Sequence, residues 1–288
     1  MTYSPSPRPT FAAAAAIPYG SVTRHLWGDA DAGEVADWIY VSSDRIHQLV
    51  YGLPPGGAFR HSEAFRTIFA ADVVYYVLSG TLVIANPDSG EVQRLLPGEA
   101  AFFRRDTWHH AFNYSTEPLR VLEFFAPPPS QGTSGAYAQA QPFLADAHYS
   151  RDGWLGRWPE AAAEEAASRT IHPIRADDVL WHLQGTEHPL LVGLLVSTEH
   201  LTVGRIDLLP GQRSEVECHG GDEGVYVLSG TVHIRPQVES GPNWLELSPR
   251  DGCFLPQGTP HQYYNIGDEP ASLLFGVAPS YRCTGQGG

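Results

Sequence analysis

The feature that most constrains this chain is an internal repeat. Residues 74–84 read VYYVLSGTLVI and residues 224–234 read GVYVLSGTVHI, so the two segments align at an offset of 150. Residues 95–127 then align with residues 247–279 at an offset of 152, with matching prolines, phenylalanines, histidines and asparagines. A register kept over so many positions indicates two copies of one structural unit, each of roughly 110 residues.

Each copy has the pattern of short β-strands. Segments such as Tyr75–Leu78, Thr81–Ala85 and Arg120–Phe125 are rich in Val, Leu, Phe and Tyr, and Gly or Pro turns separate them. The 29 glycines and 24 prolines are scattered without a period, which is typical of a chain with many turns. We therefore predict an all-β fold of two tandem jelly-roll β-barrels with a linker and one or two short helices.

The repeat and the composition together predict four parts. Residues 1–20 are expected to form a flexible segment, and residues 21–127 the first barrel. Residues 128–170 are expected to form a linker, and residues 171–288 the second barrel. One helix is predicted over Pro159–Ser168, where a proline precedes a run of alanines and glutamates.

Charge and hydropathy exclude several classes of partner. The net charge of -14 argues against nucleic acid, because binding the phosphate backbone requires an excess of Lys and Arg. No run of about 18 apolar residues is present, so no membrane-spanning helix is expected. The N-terminus lacks a signal-peptide pattern and the three cysteines form no CxxC motif, which favours a cytoplasmic protein with idle thiols. Cys218 is expected to be a packed thiol.

The second unit contains metal-binding residue types at strand spacing. Glu217 and His219 lie two residues apart, and His261, Tyr263 and Asn265 follow the same spacing. Since alternate residues of a strand share a face, we expect the side chains of each set to point the same way. Imidazoles and carboxylates that converge inside a barrel suit a divalent transition metal.

These residues resemble the two-part motif of the cupin superfamily, and the repeat makes the chain similar to a bicupin, which has two tandem cupin barrels. The family pattern is Gly-x5-His-x-His-x3,4-Glu-x6-Gly, followed by Gly-x5-Pro-x-Gly-x2-His-x3-Asn. The second unit reads Gly211-x5-Glu217-x-His219-x3-Glu223-x6-Gly230 and then Pro256-x-Gly258-x2-His261-x3-Asn265.

The resemblance implies that His219, Glu223 and His261 are metal ligands and that Glu217 stands where the family has its first histidine. The donor set then becomes harder and more anionic, which favours Fe(II) or Mn(II), with Zn and Ni as alternatives. Glu217 is expected to be either a fourth ligand or a catalytic base. One divalent metal per chain is therefore the expected cofactor.

The first unit lacks most of this motif. Alignment backwards from Gly80 puts Val73 at the position of the metal-binding glutamate, and Phe69 and Thr67 at those of the preceding pair. His109 keeps the position of the later histidine. The favoured interpretation is a barrel without a metal that serves as a structural partner.

A second alignment of the first unit stays open. The segment from Pro55 to Asp72 is five residues longer than its counterpart in the second unit. If the extra residues follow the ligand pair, His61 and Glu63 take the ligand places and form with His109 a two-histidine, one-carboxylate set suited to Fe(II).

Three functions are compatible with the resemblance, because a fold does not fix a function. The first is a dioxygenase-type oxidoreductase acting on a small metabolite, with Tyr263 and Asn265 positioning substrate or supporting the ligands. An apolar barrel lining would suit an aromatic or diketone-like substrate. The second is a non-redox lyase, isomerase or aminohydrolase in which a carboxylate moves the proton. The third is a non-catalytic binding protein. A homodimer is expected only by analogy.

Overall fold

The described residues of the computed structural model are 5–127, 135–151 and 153–283, and they form two β-barrels. The strands of the first half are β1 (Ala15–Ile17), β2 (Thr23–Asp29), β3 (Gly33–Ser42), β4 (His47–Leu53), β5 (Ala58–Phe59), β6 (Asp72–Ser79), β7 (Leu82–Asn86), β8 (Glu91–Leu95), β9 (Ala100–Phe103), β10 (His110–Asn113) and β11 (Leu119–Ala126). Helices α1 (Ala136–Ala140) and α2 (Glu160–Ala167) follow.

The second half has ten strands among the described residues. They are β12 (Ile171–Ile174), β13 (Leu180–Gln184), β14 (Leu190–Ser197), β15 (Thr202–Leu208), β16 (Asp222–Ser229), β17 (Val232–Pro236), β18 (Leu245–Leu247), β19 (Gly252–Leu255), β20 (His261–Tyr264) and β21 (Ala271–Ala278). Single 3-10 turns lie at Tyr19–Ser21 and Ala176–Asp178.

Each barrel consists of a large sheet facing a small one. In the first barrel the large sheet has the order β12-β9-β6-β11-β4-β3-β2 and the small sheet β5-β10-β7-β8. In the second barrel the orders are β1-β19-β16-β21-β15-β14-β13 and β18-β17-β20. The pairings between these strands are antiparallel, as in a jelly roll. The predicted all-β fold with two tandem barrels is confirmed.

The two barrels exchange one strand each, which differs from the expected boundaries. Ala15–Ile17 pairs with β19 of the second barrel, so this part of the N-terminal segment expected to be flexible is a strand. Ile171–Ile174, expected in the second barrel, pairs with β9 of the first. The exchange follows from burial, since Ile17 is 6% exposed and Ile171 is fully buried. Burying one such side chain stabilises the fold by roughly 1.5–3 kcal/mol.

The large sheets pack against each other and form a hydrophobic core between the barrels. Side chains of both halves meet there, including Phe124 from β11 and Leu274 from β21. Gly276 leaves room for Phe124, because a Cβ at that position would overlap the aromatic ring. Two further hydrophobic clusters fill the barrel interiors, one in each half. The small sheets therefore lie at the two outer sides of the molecule.

The segment between the barrels packs on the first one where the structure describes it. Arg66 donates hydrogen bonds to the backbone carbonyls of Ala138, Gln139 and Gln141. Helix α2 lies inside the predicted range Pro159–Ser168, and residues 128–134 of the expected linker lie outside the described residues. Among the described helices, none has both the length and the apolar character needed to cross a membrane.

Candidate metal centre

The predicted ligands lie at one end of the second barrel. Glu223 is on β16 and His261 begins β20, whereas Glu217 and His219 come from the loop that precedes β16. The backbone of Glu217 forms a bridge with that of His261, through N–H to carbonyl bonds of 2.8 and 2.9 Å. This bridge holds the loop against β20, so that ligands separated by about forty residues in the chain meet in space.

The side chains of this cluster converge within coordination range of a single ion. The ligand atoms of Glu217, His219 and His261 all lie within 4.8 Å of one another. The Oε2 atom of Glu223 lies 3.2 Å from Nε2 of His261 and 3.6 Å from Nε2 of His219. Ligand atoms about 2.1 Å from a shared metal are separated by about 3 Å or more, so the cluster needs little adjustment to bind one.

Backbone carbonyl groups orient both histidines. Nδ1 of His219 donates to the carbonyl oxygen of Tyr281 at 2.7 Å, and Nδ1 of His261 donates to that of Thr259 at 3.0 Å. A carbonyl only accepts, so Nδ1 carries the proton in each ring and a neutral ring has its lone pair on Nε2. Both Nε2 atoms face the carboxylates, which is the arrangement a metal ligand requires.

Tyr263 belongs to this site and Asn265 does not. The fully buried Tyr263 donates its hydroxyl proton to Oε1 of Glu223 at 2.5 Å and thereby orients the carboxylate. The side-chain amide of Asn265 instead donates to the carbonyl groups of Leu208 and Glu269 and closes a turn. The predicted catalytic role of Asn265 therefore has no support in the geometry.

Three buried polar atoms of the cluster have no hydrogen-bond partner among the described residues. They are Oε2 of Glu217, Oε2 of Glu223 and Nε2 of His261. Buried polar atoms in native proteins are almost always satisfied, and a cation would satisfy all three of these atoms at one point. The donor set of imidazole nitrogens and carboxylate oxygens fits a divalent transition metal.

Burial shifts the pKa of each of the four proposed ligands in the direction that favours the neutral form of its side chain. Desolvation and the neighbouring Glu223 raise the pKa of Glu217 to about 8. Desolvation also raises the pKa of Glu223, although His261 and Tyr263 oppose the shift. It lowers the pKa of His219 and of His261. Ionisation of these buried carboxyl groups therefore costs free energy, and a bound cation would offset that cost.

A cavity of about 460 Å³ leads to the cluster and is lined by Glu217, His219 and the segment around Tyr281. Tyr281 stacks on His219, with ring centroids 4.5 Å apart, and its hydroxyl donates to Gln184 at 2.9 Å. Arg282 also lines the cavity. Sequence reasoning missed these residues, because they lie outside the repeated motif and only the fold brings the chain end back to the site.

The same cavity contains a disulfide that contradicts the expected idle thiols. Cys218 is bonded to Cys283, with the two Cα atoms 5.7 Å apart. Cys218 is therefore not a packed free thiol, whereas Cys253 is free and buried. The bond connects the ligand loop to the chain end that carries Tyr281. No local pattern in the sequence indicates the partner of Cys218, because Cys283 is 65 residues away in the chain.

The first barrel has no corresponding cluster among the described residues. The backbone N–H of His109 donates to the carbonyl of Thr67 at 3.1 Å, as His261 does to Glu217, so Thr67 is the counterpart of Glu217. Phe69 packs against His109 where the second barrel has a ligand, with centroids 4.9 Å apart. His109 instead forms a 3.1 Å hydrogen bond with the hydroxyl of Tyr75.

The alternative alignment of the first unit is not supported by the geometry. Nδ1 of His61 lies 2.6 Å from Nε2 of His110, and its Nε2 lies 2.7 Å from the carbonyl oxygen of Leu144. Both ring nitrogens of His61 are therefore engaged by groups other than His109. Glu63 is exposed. The set of His61, Glu63 and His109 is therefore not assembled.

Comparison with known proteins agrees with the repeat. The sequence family described as the cupin domain matches the chain twice, over residues 70–125 and 204–277. The tetracenomycin polyketide synthase protein TcmJ of Streptomyces glaucescens is 26% identical over 126 residues, which cover 43% of this chain and 77% of that protein.

Solved structures with the same fold cover nearly the whole chain. A protein described as glyoxylate-induced from Pseudomonas aeruginosa has a TM-score of 0.65 and 17% identity, with 96% of each chain covered. An oxalate decarboxylase OxdC variant of Bacillus subtilis has a TM-score of 0.63 and 14% identity, with 96% of this chain and 80% of that chain covered. The two domain matches, the two barrels and these structures together show that the chain belongs to the cupin superfamily and is a bicupin.

Proposed function

We propose that this bicupin is a metal-dependent enzyme that acts on a small-molecule metabolite in the second barrel. The observation that carries the proposal is the set of three buried, unpartnered ligand atoms on Glu217, Glu223 and His261. Such atoms are costly without a cation, because each has lost water and gained no hydrogen bond. His219 completes the donor set.

The metal, when bound, supplies Lewis acidity and, in the case of Fe(II) or Mn(II), redox chemistry. The protein's own residues have distinct roles around it. The carbonyl groups of Tyr281 and Thr259 fix the histidines, and Tyr263 fixes Glu223. Glu217 lines the cavity, so its carboxyl group would serve either as a fourth metal ligand or, when not bound to the metal, as a base that moves a proton of the substrate.

The cavity favours a substrate that has both a carboxylate or carbonyl group and an apolar part. Arg282 supplies an exposed guanidinium near the ligands, and Gln184 supplies an amide. A guanidinium binds a carboxylate by two parallel hydrogen bonds. The oxalate decarboxylase among the structural relatives acts, by its name, on a small carboxylate. The aromatic and diketone-like substrates expected from the sequence are compatible with these groups.

Oxygen-dependent oxidation is the first candidate reaction. Two histidines and a carboxylate are the donor set of many non-haem Fe(II) oxygenases. A non-redox lyase, isomerase or aminohydrolase reaction is the second candidate. It is favoured by Glu217, which replaces a histidine of the family pattern and faces the cavity.

Metal content and oxygen dependence test the proposal. The protein is purified without chelator, its metals are measured, and oxygen uptake is followed with aromatic and diketone substrates after addition of Fe(II). One iron per chain and Fe(II)-dependent oxygen uptake support the oxidoreductase. Turnover in anaerobic buffer with Mn(II) or Zn supports the non-redox reaction. Protein that contains no metal and takes none up on incubation contradicts both and leaves a binding protein.

Cytoplasmic location and homodimerisation stay predictions. The disulfide between Cys218 and Cys283 is a bond that reducing compartments disfavour, so location is best determined by fractionation of the source cells. Light scattering on the purified protein determines the oligomeric state. Strand β13 is an edge strand with exposed Leu180, Trp181 and Leu183, which is a reason to expect self-association.

A further inference from the structure

A crevice of about 330 Å³ lies on the seam between the two barrels, apart from the metal centre. Trp38 and Arg120 of the first barrel line it, together with Tyr226 and Arg250 of the second. Tyr19, from the N-terminal segment, also lines it. The crevice therefore exists only when both halves of the chain are assembled.

Two guanidinium groups that line this crevice, and a third beside it, lie over the rings of Tyr19 and Trp38. Arg250 lies 3.5 Å from the ring centroid of Tyr19, and Arg120 lies 4.5 Å from that of Trp38. Arg24 lies 5.5 and 5.7 Å from the same two rings. Among the described residues, none of these arginines forms an ion pair with a carboxylate. This is unusual in a chain with a net charge of -14.

The neighbouring acid does not neutralise the cluster by a direct contact. Asp251 follows Arg250 in the chain, but its two oxygens accept hydrogen bonds from the backbone N–H groups of Tyr19 and Ser248, at 2.8 and 2.9 Å. The two arginines that line the crevice, Arg120 and Arg250, therefore have beside them one carboxylate whose oxygens are already engaged. An anion placed in the crevice would meet a net positive field.

The arginines are held by the fold. A Cβ at Gly52, near the end of β4, would overlap the Arg120 guanidinium, so the glycine leaves room for that group against Trp38. Arg250 has a left-handed backbone with a φ of 78°, which is uncommon outside glycine. The hydroxyl of Tyr40 donates to the Arg250 carbonyl at 2.6 Å and fixes this conformation.

A phenol adds a neutral donor to the guanidinium groups. Burial raises the pKa of Tyr226 to about 12, so its hydroxyl stays protonated at neutral pH. That hydroxyl has no hydrogen-bond partner among the described residues, and it faces the crevice with Arg120 and Arg250. The crevice thus combines charged donors, a neutral donor and flat aromatic walls.

We propose that the seam between the barrels binds a planar aromatic carboxylate. Arg120 and Arg250 would hold the carboxylate, because guanidinium groups recognise it with two parallel hydrogen bonds. The ring of the ligand would lie against Tyr226, because Arg250 and Arg120 already cover faces of Tyr19 and Trp38. The site is independent of the metal centre and of the reaction carried out there.

Calorimetric titration of the full chain with 2-naphthoate tests this site. Wild-type protein is expected to bind one equivalent, and Arg120→Gln and Arg250→Gln to weaken binding at least tenfold. Arg94→Gln is the matched control, because Arg94 is an exposed arginine on β8, away from the crevice. Tyr226→Phe removes only a hydroxyl and should also weaken binding, which keeps the test valid if an arginine variant does not fold.

Two companion titrations locate the ligand and define its chemistry. Cyclohexanecarboxylate has the charge without the aromatic ring and is expected to bind more weakly than 2-naphthoate. His261→Ala should bind 2-naphthoate as the wild type does, because that residue belongs to the metal centre. The proposal is overturned if the wild type does not bind, if Arg94→Gln weakens binding equally, or if only His261→Ala loses it.

Discussion

Nε2 of His261 and Oε2 of Glu223 face each other at 3.2 Å, and neither atom forms a hydrogen bond to a described residue. Since Nδ1 of His261 donates to Thr259, the two facing atoms of a neutral imidazole and a carboxylate are both acceptors. Two acceptors at this distance repel unless a cation or a proton lies between them. A cation bound between these two atoms would remove the repulsion, so this pair is the contact that most favours the proposed metal site.

His261→Ala should abolish stoichiometric metal binding. The substitution removes one of two imidazole ligands, and the remaining donors are predominantly carboxylates that bind transition metals more weakly. Elemental analysis after purification without chelator is the measurement, with about one metal per wild-type chain and at least a tenfold reduction expected in the variant.

His109→Ala is the matched control for that experiment. His109 occupies the same position in the first repeat, is fully buried, and donates from Nδ1 to the carbonyl of Thr107 as His261 does to that of Thr259. Because the described residues assemble no metal-binding cluster around it, this variant should keep the wild-type metal content. A similar loss of metal in both variants would contradict the placement of the site in the second barrel.

Tyr263→Phe should weaken metal binding without removing a ligand. The hydroxyl of Tyr263 orients Glu223 through a 2.5 Å hydrogen bond, and loss of such a support costs roughly 10–100-fold in metal affinity. Tyr264→Phe is the control on the opposite face of the same strand, where the hydroxyl donates to Gln262 instead. Competition with a chromophoric chelator measures both affinities, and equal affinities in the two variants would argue against a role for Tyr263.

The two-barrel fold could be predicted from the sequence because it depends on a repeated pattern. The turn residues and the alternation of apolar side chains recur in both copies, so local signals agree with the global fold. The ligand positions of the second barrel could be proposed because the spacing of Glu217, His219, Glu223 and His261 resembles the cupin motif, although Glu217 and His219 lie in a loop and not on a strand. His109 could be placed as well, because its register in the repeat is intact.

The remaining features depend on contacts that no local pattern specifies. The strand Ala15–Ile17 has no signal beyond three apolar residues, and it forms because β19 of the other barrel offers an edge. Asn265 matches the family motif and shares a strand face with His261, yet the turn after β20 uses its amide. Cys218 and Cys283 are 65 residues apart, and only the return of the chain end to the site brings them together.

Loss of the Cys218–Cys283 bond should lower the stability of the second barrel. The bond closes a loop of 65 residues in the unfolded chain, and loops of this size give about 4 kcal/mol in the chain-entropy treatment. Cys283→Ser should therefore reduce the free energy of unfolding by about 2–4 kcal/mol in urea titrations of metal-free protein. Reductant should destabilise the wild type but leave the variant unchanged, because Cys253 has no disulfide partner in the structure.

Thiol titration in denaturant provides an independent measurement of the same bond. The wild type purified under air should show one reactive thiol, from Cys253, before reduction and three afterwards. Three thiols before reduction would show that the bond does not form in the isolated protein, and the expected effect of reductant would then disappear as well.

A buried carboxyl in the first barrel should make stability fall as pH rises. Burial, together with the nearby Asp37, raises the pKa of Glu123 well above its ordinary value, so the folded state keeps a proton that the unfolded state loses above about pH 4.5. Between these two pKa values the unfolded chain binds fewer protons, so the stability contributed by protonated Glu123 is present at low pH and is lost as pH increases.

Glu123→Gln retains the shape of the side chain and removes its titration. The variant should therefore gain stability over the wild type at pH 8 and lose that advantage near pH 4, as measured by urea unfolding at each pH. Glu34→Gln is the exposed control and should show no such difference, since its carboxyl is in water in both states. A stability difference between variant and wild type that is the same at both pH values would show that folding does not raise the pKa of Glu123.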